Sequence, residues 1–210
     1  MITIQEYTTL DSAYQYFNEK LWDGKLPDCI VTLHRKKGAN GYYWHEKFVE
    51  RDGNKKISEI ALNPDTFNER TDTEILATLV HEQCHLAQHL FGDAPKSNYH
   101  DKEFAKFMYD VGLIPTSNGE INGKRTGVKI STLIQEGGLF EKFCGAFLIS
   151  NKINVQSTKE IEIEKKSRKK TRQKLVCPSC MENARARIGM KLICGECNET
   201  MLPEEDEDES

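Results

Sequence analysis

The sequence predicts an α+β domain of about 150 residues followed by a small cysteine-bound module. Three observations carry this. A run of short β-type segments lies between amphipathic helical stretches and does not alternate with them. One of those stretches, 71–91, carries a chemically loaded and well-capped pattern. Near the end, two C-x-x-C units stand 13 residues apart. At 210 residues the chain is long enough for one core domain and one module, with a boundary expected near residue 150.

Taken in order, 9–23 reads as a helix with Leu10, Ala13, Tyr14, Phe17 and Leu21 inward, ended by Asp23, Gly24 and Pro27. Strands are expected at 29–34, 42–49 and 57–62. The segments between them, 36–41 and 51–54, have hairpin-turn compositions. The stretch 71–91 opens with Thr71 and Glu74, the spacing of a capping box. At about 100° per residue, Ile75, Leu79, Leu86 and Leu90 share one face. His81 and His85 fall together on another side, with Glu82 between them and the apolar stripe.

His81, Glu82, Gln83, Cys84 and His85 form an H-E-x-x-H pattern. Two imidazoles one turn apart, roughly 6 Å along the axis, can reach one ion. A hydrolytic zinc takes three protein ligands and leaves its fourth position to water, whose pKa it lowers towards about 7. A carboxylate after the first histidine suits a general base, which assigns that role to Glu82. Eight residues of helix place His89 roughly 12 Å from His81, too far to converge. Gln88 and Phe91 stand where a metzincin extension needs Gly and His. A second helical pattern follows from Tyr99, burying Phe104, Phe107, Met108 and Val111, with His100 one turn ahead. The segment 92–99 can turn the chain back, so His100 is the geometric choice for third ligand, with Asp101 and Glu103 in reserve. His34 and His45, on strands, are assigned structural roles.

The stretch 116–138, rich in Gly, Ser, Thr and Asn, fits either a functional loop or a surface insertion. Apolar character returns at 139–149 and completes the core. A linker is expected over 151–174, where Lys165, Lys166, Arg168, Lys169, Lys170, Arg172 and Lys174 put seven positive charges in ten residues, suited to phosphates. Cys177, Cys180, Cys194 and Cys197 then offer four thiolates for a closed zinc site within 175–203, with Gly195 expected to ease a tight ligand turn. So short a module needs the metal to fold. Arg185, Arg187 and Lys191 in its loop extend the phosphate-contact expectation, beside a purely structural role. Cys29, Cys84 and Cys144 remain as buried free thiols.

His81 to His85, followed by Tyr99, His100, Asp101, Lys102, Glu103 and Phe104, resembles the SprT-like metalloprotease family, which includes the Spartan proteases. The resemblance reaches back through Asn18, Leu21, Trp22, Gly24, Leu26 and Pro27 and on to the cysteine-rich end. It implies a minimal zincin-like fold followed by a zinc ribbon, zinc held by His81, His85 and His100, and Glu82 as catalytic acid/base. It also implies cleavage of proteins attached to DNA, single-stranded or at junctions, switched on by that DNA.

The net charge of −4 hides an uneven distribution: six acids occupy 204–209, leaving +2 for the rest. The tail 204–210 is expected to be a disordered, solubilising end, or one that folds back on the basic run. Neither a signal peptide nor an 18-residue apolar run is present, so membrane insertion and secretion are not expected. Paired C-x-x-C units in so charged a chain suit a reducing compartment: cytoplasm, at the nucleoid in a bacterium or phage, or the nucleus of a eukaryote. Two zinc ions, one catalytic and one structural, are expected. The functional alternatives are a DNA- or transcription-associated zinc protein with a silent peptidase site, and a metallohydrolase with a non-peptide substrate.

Overall fold

The computed structural model describes residues 1–157 and 172–204. Contacts divide the chain into two compact units, Met1–Glu160 and Ile161–Ser210.

The first unit opens with helix α1 (Ile2–Trp22), seven residues longer at its start than the apolar pattern indicates. Its N-cap, Met1, makes no side-chain cap bond, so no capping signal marks that end in the sequence. Its C-cap is as expected: Asp23 adopts φ 54°, the left-handed turn that stops a helix. The Asn18 amide then clamps the next turn, donating to Leu26 O at 2.9 Å and accepting from Leu26 N at 3.0 Å.

Strands β1 (Cys29–Leu33), β2 (Gly41–Val49) and β3 (Lys56–Leu62) form a sheet in the order β1-β3-β2. The turn at 51–54 does join a hairpin, β2–β3. The segment 36–41 does not: β1 pairs in parallel with β3, and β2 lies on the far side of it. The cause is burial. Ser58 to Leu62 of β3 are all buried, so β3 takes the centre and the less buried β1 and β2 flank it. In β2 the pairing slips between Trp44 and Phe48, and Glu46 at this bulge has φ 46°.

Helix α2 (Asp72–Phe91) crosses the centre of the unit with the capping box formed in both directions: Glu74 N–H to Thr71 Oγ1 at 3.3 Å, and Thr71 N–H to Glu74 Oε2 at 2.7 Å. Ile75, Leu76, Leu79, Val80 and Leu86 join Leu10, Tyr14 and Phe17 of α1 and Ile60 and Leu62 of β3 in one core. Helix α3 (Lys102–Asp110) adds Phe104 and Met108, and α4 (Leu139–Leu148) adds Phe140, Cys144 and Phe147. The stretch 116–138 is bracketed by a strand pair: β4 (Leu113–Thr116) pairs antiparallel with β5 (Ser131–Ile134). Residues 151–157 also lie on this unit, Ile153 N–H bonding Asp72 and Asn154 N–H bonding Glu6. Cys84 and Cys144 are buried thiols, whereas Cys29 is only half-buried.

The second unit is a three-stranded sheet, β7 (Asn183–Arg187), β6 (Arg172–Val176) and β8 (Leu202–Pro203), in that order. Arg172 and Lys174, expected in a linker, belong to β6. Lys165, Lys166, Arg168, Lys169 and Lys170 lie outside the described residues, as does the tail beyond Glu204.

Candidate metal centre

Three side chains converge where α2 meets the start of α3. The ligating atoms of His81, His85 and His100 all lie within 4.8 Å of one another. The helical turn aligns the first two. His100 arrives from outside α3, in an antiparallel bridge with Gly127 that bonds both backbones, N–H to O at 2.9 and 3.0 Å. Asp101, a reserve ligand, is instead the N-cap of α3, accepting from Phe104 N–H at 2.8 Å. Glu103, the other, accepts from Asp93 N–H at 2.7 Å. The Gln88 amide ties both carboxylates to α2 at 3.0 Å. Gln88, one of the two residues that break the metzincin pattern, thus ties α2 to the start of α3, the helix that follows His100.

Phe104, fully buried, is the wall on which the imidazoles gather: stacked on His85 at 4.2 Å and edge-on to His100 and His81 at 4.7 and 5.1 Å. His81 Nδ1 is held by Thr132 Oγ1 at 2.9 Å, and His100 Nδ1–H donates to Gly127 O at 3.0 Å. The carbonyl at His100 leaves Nε2 as the lone-pair nitrogen, the tautomer a metal needs. Sequence reasoning missed Thr132 and Gly127, whose signal was only a polar loop of suitable length.

Burial keeps these rings neutral. It pushes His81 down to about 3, with His100 adding repulsion, and it lowers His85 and His100 as well. Neutral imidazoles are what a metal requires. Zinc, with Zn–N bonds of about 2.0–2.1 Å in a tetrahedron, needs only small rotations of nitrogens this close. The donor set therefore fits zinc.

Glu82 follows His81 into the same buried region, 5 % exposed. Desolvation raises its carboxyl from 4.5 to about 8, against the pull of Lys36 and the Tyr43 backbone N–H. Gly41 makes room: a Cβ there would stand 2.8 Å from Ala61 O and 3.3 Å from Glu82 Oε1. These groups line a cleft of about 910 Å³ between α2 and β2, reached also by the 128–132 segment. The outer edge of β2 has no strand partner among the described residues and borders this cleft.

In the second unit Cys177, Cys180, Cys194 and Cys197 present sulfurs within 4.8 Å of one another. Two matching turns present them. Met181 N–H bonds Cys177 O, and Asn198 N–H bonds Cys194 O, at 3.0 and 2.9 Å. The left-handed residues are Met181 (φ 62°) and Asn198 (φ 55°), each just after its second cysteine. Gly195 does not supply the special backbone expected of it, and a Cβ there would meet open space. The backbone N–H groups of Cys180 and Ser179 draw the Cys177 thiol below its usual range. Four convergent sulfurs are compatible with a structural zinc.

On the adjoining sheet Arg172 stands opposite Arg187 and Lys174 opposite Arg185, so four cations share one face of β6–β7. Glu204 pairs with Lys174 at 2.5 Å. No helix among the described residues is long and apolar enough to cross a membrane.

Known proteins bear on this geometry directly. Over 58 residues the chain is 41% identical to an uncharacterized protein in the mucB 3'region of Salmonella typhimurium, 28% of this chain and 78% of that protein. The SprT-like family model matches residues 10–128, more than half of the chain, taking in α1 from Leu10 onward, the first sheet, α2 and all three converging histidines. The chain belongs to the SprT-like family.

Proposed function

We propose that this protein is a zinc-dependent endopeptidase that cleaves proteins bound to DNA. The observation that carries the reading is the convergence of His81, His85 and His100 in one buried pocket with Glu82, on the wall of a cleft bordered by an unpaired strand edge. Zinc held by the three imidazoles supplies Lewis acidity to a scissile carbonyl and acidity to water. Thr132 and Gly127 hold the ligand rings in register, and Phe104 keeps bulk water from behind them. Glu82, buried beside His81 on the cleft wall, takes a proton from the attacking water and returns it to the leaving amine. The edge of β2 receives the substrate as an added strand through backbone bonds that demand no particular sequence.

The DNA half of the reading is supported by the family resemblance and by the second unit's charge. Like charges directly opposed across a strand pair destabilise it unless an anion faces them. A phosphate backbone is such an anion. The Glu204 carboxylate on Lys174 supports an acidic end that competes for the same face. Deleting 204–210 is then expected to raise DNA affinity at low salt, and unchanged affinity would remove that competition.

The test is cleavage of a DNA-bound protein with and without single-stranded DNA. Glu82→Gln keeps zinc and loses cleavage; His85→Ala loses both. Cleavage by Glu82→Gln at the wild-type rate would refute the mechanism, and DNA binding without cleavage under every condition would favour the silent-site alternative.

A further inference from the structure

Arg70 lines the cleft at the end where α2 begins, and only part of its hydrogen-bonding capacity is met. Its Nη2 donates to Glu74 O and to Thr78 Oγ1, the latter at 2.6 Å. Thr78 Oγ1 itself donates to Glu74 O at 3.3 Å, so towards the guanidinium it acts as acceptor and fixes its orientation. Nη1 is shielded from solvent and has no hydrogen-bond partner among the described residues. A buried donor left unmade is costly and calls for a partner. Nor is the charge matched. Glu74, the acid whose charge acts on it, commits its Oε2 to Thr71 N–H and Oγ1–H at 2.7 and 2.8 Å. Burial pulls the guanidinium pKa below its usual value, against the pull of Glu74.

Gly41 marks where this group lies along the cleft. A Cβ there would stand 2.8 Å from Thr78 Cγ2 and 3.3 Å from Glu82 Oε1, so both α2 residues face the first residue of β2. Thr78 and Glu82 are one helical turn apart, roughly 6 Å. An extended peptide advances about 3.3 Å per residue, which puts the guanidinium about two residues from the bond that Glu82 serves. Farther along, the Tyr43 ring lies against His85 and His89, with centroids 6.3 and 5.2 Å apart, so β2 and α2 run the same way. A substrate in antiparallel pairing with β2, the more stable arrangement, runs against both. It carries the C-terminal side of its scissile bond towards Arg70. Lys36 adds a second cation at this end, with Nζ 4.6 Å from the Tyr42 ring and its charge felt at Glu82.

We infer that Arg70, oriented by Thr78 and reinforced by Lys36, forms a carboxylate-binding subsite that selects substrates with an acidic side chain about two residues beyond the scissile bond. Nη1 supplies the unmade donors, and a carboxylate is the acceptor a planar guanidinium fits best. The subsite deepens the peptidase reading and rests on it for its meaning, but binding at it needs no turnover.

The experiment measures binding of short peptides to the zinc-loaded full-length protein. Each peptide is capped at its amino end by a succinyl hydroxamate, which grips zinc and fixes the register, and is amidated at the other end. Glu is scanned against Gln over the first three positions. In wild type, Glu about two residues past the hydroxamate should bind about tenfold tighter than Gln. Arg70→Gln should bring that ratio close to one. Arg70→Lys, which keeps the charge and loses the planar fork, should leave an intermediate ratio and stands in if Arg70→Gln does not fold. A residue that merely braced α2 would shift Tm and leave the ratio alone. A wild type indifferent to Glu against Gln at all three positions overturns the subsite, as does a preference undiminished in both variants. A single-stranded oligonucleotide that displaces the Gln peptide from wild type but not from Arg70→Gln would assign the group to phosphate and overturn it too. Uncapped peptides separate the two readings. Turnover without any Glu preference sinks the subsite alone, whereas Glu-selective binding with no turnover of any peptide sinks the peptidase reading and leaves the subsite standing.

Discussion

Replacing Glu82 with glutamine should make the metal-free protein more stable and abolish the cleavage proposed for the zinc-loaded one. Glu82 is 5 % exposed, and burial raises its carboxyl from 4.5 to about 8. Between those values the folded chain keeps a proton that the unfolded chain has released. Stability is therefore full below about pH 4.5 and is lost progressively as pH rises towards 8. At pH 7 the gap of about 2.5 units, at about 1.4 kcal/mol per unit, amounts to roughly 3 kcal/mol held against folding. Glutamine stays neutral and can still accept the Tyr43 N–H, so most of that penalty disappears. Urea unfolding of the chelated protein measures it. Both tryptophans, Trp22 and Trp44, lie in the first unit, so their fluorescence reports that unit alone. The variant should gain up to about 3 kcal/mol at pH 7, with the gain shrinking to almost nothing near pH 4.5. With zinc restored, cleavage should fall by about 10²–10⁴-fold. A variant no more stable than wild type at pH 7, or a gain that ignores pH, would refute the reasoning.

Three further substitutions test other parts of the structure. Thr132→Val removes the hydroxyl that holds His81 Nδ1 and should weaken zinc binding by about 10–100-fold, read by chelator competition. Gly41→Ala drives a methyl to 2.8 Å from both Ala61 O and Thr78 Cγ2; it should cost about 1–3 kcal/mol in stability and slow cleavage by displacing Glu82. Cys194→Ser should cost one bound ion and the fold of the second unit, while the tryptophan-monitored transition of the first stays where it was.

What could be read from the sequence was what lies close along the chain. The capping box at Thr71, the two imidazoles one turn apart and the two C-x-x-C pairs are each specified within a few residues. His100 was reachable because a short turn and an apolar helix face constrain where it can go. The parallel pairing of β1 with β3 was not legible: turn composition at 36–41 cannot announce that a later, more apolar strand will come between β1 and β2. Nor were the contacts that orient the ligands. Gly127 acts through its carbonyl, which every residue possesses, and Thr132 lies 51 residues from His81. His45, taken for an ordinary strand residue, stacks on His89 of α2, a contact between residues far apart in the chain that no local pattern announces.

The hairpin β4–β5 and the bridge at Gly127 follow the three histidines in the chain, yet two of the three rings are steadied from there. During synthesis all three imidazoles would leave the ribosome before the struts that orient them. The nascent chain thus carries its three histidines before it can orient them, and the centre is complete only once residue 132 has emerged and docked. The same order means that a single nick between 117 and 126 could disarm a finished molecule without touching any group that binds the ion.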